Sequence, residues 1–96
     1  MSDVSNLISA AMKTFIALDT QYETADINQK VALAASRNRA ANALTKLKDN
    51  QISQDITVNP ADIAQMNALA AKVQNGAALQ TGLLEFLDIV KNYVQV

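Results

Sequence analysis

The chain of 96 residues contains no cysteine, no histidine and no tryptophan. Without cysteine there are no disulfides, thiol nucleophiles or thiolate metal sites. Without histidine the commonest general base and the commonest metal ligand are both missing. Aromatic residues are limited to Phe15, Tyr22, Phe86 and Tyr93. Glycine occurs twice, as Gly76 and Gly82, and proline once, as Pro60. No apolar run approaches the roughly eighteen residues a membrane span needs. Residues 1–11 carry Asp3 and no basic residue ahead of an apolar run, which is not the pattern of a cleavable signal peptide. A cytoplasmic location is expected, with export that needs no cleaved signal as the alternative. A net charge of −1 gives no overall pull toward nucleic acid or an anionic membrane.

Half of the residues are hydrophobic, and seventeen of them are alanine. Alanine is the best helix former, and the helix breakers are nearly missing. Strands would need more alternation of β-branched and aromatic residues. The fold class expected is all-α: a helical hairpin or a three- or four-helix bundle with a long C-terminal helix. The length fits a single domain over residues 1–96 with one modest core.

The first helix is expected from Asp3 to Glu23. Val4, Ile8, Ala11, Phe15, Leu18 and Tyr22 recur every three or four residues, and Leu7, Met12 and Ile16 widen the stripe. A weak boundary follows at Thr24-Ala25-Asp26, where Asp26 and Gln29 have the spacing of a capping box. One helix running through this junction is the alternative, because no glycine or proline enforces a turn. The second helix is expected from Ile27 to about Asp49, with Leu33, Ala40, Leu44 and Leu47 as its main stripe. Val31, Ala34, Ala35 and Ala41 give its opposite side a second packable surface.

Residues 49–59 form the one clear loop: polar, aperiodic and rich in turn-forming Asp and Asn. Ile56 to Val58 is expected to be locally extended. Asn59-Pro60-Ala61-Asp62 then reads as an N-cap, a proline at the first helical position and an acid in the first turn. The stripe Ile63, Met66, Ala70, Val73, Ala77, Gln80, Leu84, Leu87 favours one helix from Pro60 to about Gln95, roughly 50 Å long. The alternative is a break at Asn75-Gly76 with glycine as the C′ cap.

The segment Leu83 to Val96 is apolar at nine of fourteen positions. An ordinary surface helix needs a stripe little more than about 100° wide, and one antiparallel neighbour cannot cover this one. Two readings stand. The segment is the central helix of a bundle, or its surplus is an interface with a second copy or a larger protein partner. The second is the working expectation, with Leu83, Leu84, Phe86, Leu87, Val90, Tyr93 and Val94 as the association residues.

Charge is uneven along the chain. Residues 1–26 carry −3, residues 27–48 carry +5 and residues 49–96 carry −3. In the basic segment Lys30, Arg37 and Lys48 fall on one shoulder of the leucine stripe, and Arg39 and Lys46 on the other. Split charges flank a packing seam; they do not make one phosphate-binding patch. A nucleic-acid-binding module using residues 27–48 is therefore an alternative function and not the expected one. The carboxylate pairs Glu85/Asp88 and Glu23/Asp26 have no matching histidine ligands and read as solvated surface. Two glycines six residues apart inside a helical pattern do not make a phosphate loop. No hydroxyl has a histidine to activate it. No catalytic, metal or cofactor site is expected, and the chain is read as non-enzymatic.

Ala43-Leu44-Thr45-Lys46-Leu47 precedes the turn, Asn59-Pro60-Ala61-Asp62 opens the next helix, and Leu87-Asp88-Ile89-Val90 with Val94-Gln95 closes the chain. Over about half the sequence this resembles bacterial type III secretion needle subunits. The inter-helix segment is longer here, and the N-terminal helix more apolar. The resemblance implies a helical hairpin whose long C-terminal helix packs into a secreted filament. The expected function is helix-mediated protein–protein association, by self-assembly or by binding a partner, with such a filament subunit as an alternative.

Overall fold

A computed structural model describes the backbone of residues 3–53 and 57–95 and the side chains of 3–50 and 57–95. Among the described residues there are four helices: α1 (Asp3–Thr24), α2 (Ile27–Ser53), α3 (Pro60–Gln74) and α4 (Leu79–Val90). The all-α expectation holds.

The weak boundary after α1 is a true break. Asp26 Oδ1 accepts the backbone N–H of Gln29 at 2.8 Å, as an N-cap carboxylate satisfies a donor that has no helical partner. A single helix through residues 24–26 is thus not formed. At the far end, α2 runs to Ser53, so residues 49–53 of the expected loop are helical. The loop's central residues, Ile56 among them, lie outside the described residues. Asn59 is extended (φ −78°, ψ 121°), and its side chain accepts the N–H of Ala61 at 3.0 Å. Pro60 and Asp62 occupy the first turn as the sequence predicts.

The long C-terminal helix does not form. Helix α3 ends in a Schellman motif: Ala77 N–H donates to Lys72 O at 3.0 Å and Gly76 N–H to Val73 O at 3.1 Å. Gly76 sits at φ +95°, a left-handed conformation that favours glycine. The turn resets the helical phase, and the uninterrupted stripe read through it fails. Gln80 and Leu84 point outward; Leu79, Leu83, Phe86 and Val90 point inward. The two-helix hairpin implied by the needle resemblance is replaced by four helices.

The cross-helix contacts fix the directions. Tyr22 with Lys30 and Asp19 with Arg37 run α2 back along α1. Thr14 with Met66 and Gln21 with Val73 keep α1 and α3 parallel. Phe15 with Phe86 and Leu18 with Gly82 set α4 antiparallel to α1. Among the described residues, every helix pair touches except α2 with α3. The order around the bundle is therefore α1, α2, α4, α3, with α2 and α3 at opposite corners.

Two helices meet all three others, α1 and α4. This explains why α4 is apolar on most of its circumference: it has three sides to cover. Phe86 is fully buried, with its ring 6.2 Å from that of Phe15 and tilted 50° to it. Gly82 lets α4 approach closely, since a Cβ there would lie 2.7 Å from Leu18 Cδ2 and 3.2 Å from Val73 Cγ2. Thr14 is the one polar residue of the core among those described. Its hydroxyl lies 2.8 Å from Ala10 O and 3.1 Å from Met66 O, so one proton is shared between its own helix and α3. Among the described residues no buried side-chain polar atom lacks a partner.

Candidate association surface

The seven residues expected to form an association surface are largely inside the molecule. Leu83, Phe86, Leu87 and Val90 are core residues. Tyr93 and Val94 are half-buried against the core. Leu84 alone is exposed, at 52%. The premise that the C-terminal segment carries more apolar surface than its own chain can shelter is corrected: α1, α2 and α3 shelter it together.

The tail after α4 is also tied down. The Tyr93 hydroxyl donates to Asp62 Oδ2 and accepts the Asn59 N–H at 3.1 Å. Burial, followed by the hydrogen bond to Asp62, raises the Tyr93 pKa above its ordinary value. Lys46 Nζ donates to Gln95 O at 3.1 Å, and Asn50 Nδ2 reaches Tyr93 O at 3.5 Å. The tail thus joins the last turns of α2 to the start of α3.

Exposed large apolar side chains are found elsewhere. Met12 and Ile16 on α1 are 38% and 62% exposed. On α2, Ile27 and Val31 are each 72% exposed. Met12 and Ile16 miss the core because the buried row of α1 is Leu7, Ala11, Thr14 and Leu18, on another side of the helix. The sequence placed Met12, Ile16 and Leu7 only at the margin of the main stripe, and of these Leu7 alone is buried; the burial of Thr14 had no apolar signal to reveal it. On α2 the second packable side inferred from sequence is present but uncovered: Val31 and Ala35 are exposed and Ala34 is half-buried.

Between α1 and α3 lies an open groove of about 690 Å³, with Met12, Ile16, Ala17 and Val73 giving it an apolar character and Lys13 its only charge. A smaller depression of about 430 Å³ continues it toward Asn6, Ile63 and Asn67, with Ser9 and Lys13 shared by both. One end is closed by Gln21, whose Nε2 donates to Val73 O at 2.6 Å and so caps the last turn of α3.

The basic segment is partly consumed by the fold. Arg37 pairs with Asp19 at 2.9 Å and lies 5.6 Å over the Phe15 ring, while Lys46 is on the Gln95 carbonyl. Arg39 and Lys48 remain exposed on the same helix. Glu85 faces Lys72 at 3.9 Å and Asp88 faces Lys91 at 2.6 Å, as surface ion pairs. Among the described residues no group of three or more acidic, histidine or cysteine side chains could hold a metal, and no helix is long and apolar enough to cross a membrane. Comparison with protein-family models, with curated proteins and with solved structures gives no match.

Proposed function

We propose that this protein is non-enzymatic and acts by helix-mediated association, with itself or with a larger protein partner. The observation that carries this reading is the exposed pair Ile27 and Val31, one turn apart on α2 and each 72% exposed. Neighbouring large apolar side chains left in water forgo roughly 1.5–3 kcal/mol of burial each, a gain that a partner surface recovers. The association residues inferred from sequence contribute the exposed Leu84 on α4 and, in the tail after it, the half-buried Tyr93 and Val94. The exposed rows on α1 and α2 contribute the rest.

The test is mass in solution against concentration, with affinity capture using the wild type and an Ile16→Asp/Val31→Asp variant. Association with itself or with a defined protein that disappears in the variant supports the reading. A monomer at every concentration that captures nothing dependent on these two residues contradicts it.

A further inference from the structure

We propose that the groove between α1 and α3 binds a medium-chain fatty acid, with its carboxylate at Lys13 and its alkyl chain toward Gly76. The groove, about 690 Å³, has the size of small-molecule sites, which run from roughly 300 to 1,000 Å³. Its polarity changes along its length. Toward Gly76 the large apolar side chains are Met12, Ile16 and Val73. Met12 is unbranched and adapts its shape to what lies on it. At the other end, where the groove meets the smaller depression, Lys13 and Ser9 line both spaces, and Asn6 and Asn67 stand beyond them beside Ile63. Lysine, serine and asparagine side chains all carry N–H or O–H donors for a carboxylate.

Charge sets the head group. Lys13 is the only charged residue lining either space, and no carboxylate lines them. Among the described residues Lys13 has no ion-pair partner within its own chain. A lysine with no acid beside it favours an anionic head over a neutral or cationic one. Length sets the tail. From Lys13 to Gln21, which closes the far end, is roughly 12 Å at about 1.5 Å per residue. At roughly 1.25 Å per carbon of an extended chain, that span takes about ten carbons. An amphipathic helix from a protein partner carries its polarity crosswise, one face against the other. Here the change runs lengthwise, as it does in a fatty acid. Ile27 and Val31 line neither space, so the inference goes beyond the association reading and does not rest on it.

Calorimetric titration of the full-length protein with decanoate, below its micelle-forming concentration, tests it. One site per chain is expected. Removing carbons from decanoate should weaken binding about two- to fourfold per methylene, and adding carbons should change it little. Decyltrimethylammonium, equal in length and opposite in charge, should bind more weakly than decanoate. Lys13→Glu should reverse that preference, changing the ratio of the two affinities about tenfold or more. Lys48→Glu makes the same charge change at an exposed position outside the groove and should leave the ratio within about twofold. Ile16→Asp, also at an exposed position, should abolish decanoate binding while far-UV circular dichroism stays unchanged. Absence of decanoate binding overturns the proposal, as do equal effects of the two lysine substitutions. Affinity that keeps rising with every carbon past about ten is the mark of unspecific partition and overturns it too. A chain that ignores decanoate while Ile16→Asp still lowers its mass in solution gives the groove to a protein, and the association reading then stands alone. Decanoate binding by a chain that stays monomeric and captures no protein does the reverse.

Discussion

Helix α4 and the first two turns of α2 make opposite use of apolar residues. Helix α4 has the denser apolar run, and its large side chains are covered by α1, α2 and α3, with Leu84 as the exception. The start of α2 reads as more polar, yet Ile27 and Val31 stand in water. Apolar density along the chain therefore does not locate the uncovered surface. Nor does the number of neighbours alone: among the described residues α4 touches three helices and α2 only α1 and α4, but α1 also touches three and still leaves Met12 and Ile16 exposed, so the side of the helix its neighbours take decides what is covered.

The largest effect that would break this contrast is in the core. Phe86→Ala should cost about 3–5 kcal/mol in urea unfolding, whereas Val31→Ala should move stability by about 0.5 kcal/mol or less. Equal effects would mean that the two regions are equally covered.

The glycines sharpen it next. Gly82→Ala puts a methyl against Leu18 and Val73 and should cost about 1–3 kcal/mol by overpacking, less a gain of about 1 kcal/mol in helix propensity. Gly76→Ala meets no atom within 4 Å, so its expected cost of about 1–2 kcal/mol comes only from the left-handed backbone. If Gly82→Ala were clearly stabilising, the close approach of α4 to α1 would be in doubt.

Caps and polar contacts come after these. Asp26→Ala removes the N-cap of α2 and should cost about 1 kcal/mol, with Asp26→Ser retaining most of it. Thr14→Val keeps the shape but loses the shared hydrogen bond between α1 and α3, at about 1 kcal/mol.

Punctuation was the most legible part of the sequence. Asp26 with Gln29, and Asn59 with Pro60 and Asp62, are local devices that act through the adjacent backbone, and both appear where their spacing placed them. The break at Gly76 was visible as an alternative, but the regular spacing from Ile63 to Leu87 outweighed it. That regularity was accidental: it enrolled polar Gln80 and exposed Leu84 in a stripe that the turn disrupts. The candidate site was less legible for a different reason. Whether Met12, Ile16, Ile27 and Val31 are covered depends on where α3 and α4 pack, which is a long-range property. The roles of Gln21 as a cap for α3 and of Thr14 as a buried contact are equally non-local, since both partners lie 52 residues away.

The smallest effect is one of pH. The raised Tyr93 pKa means that the folded chain holds this proton more tightly than the unfolded chain, whose tyrosine titrates near 10.0. The associated stability is complete below that pH and declines as pH rises from there through the folded pKa. Tyr93→Phe should flatten this alkaline decline in thermal melts. An identical decline in the variant would place its origin elsewhere.

Native-state thiol labelling reads the contrast between the two regions most directly, because the protein has no cysteine of its own. Single variants Leu83→Cys and Val31→Cys are compared in dilute solution without denaturant. Val31→Cys should react at the rate of an open thiol and become protected as concentration rises. Leu83→Cys should stay unreactive until the bundle opens, on the order of a thousandfold slower. Equal, fast labelling at both positions would show that α4 is not sheltered by its own chain, and would contradict the placement of the association surface on α1 and α2.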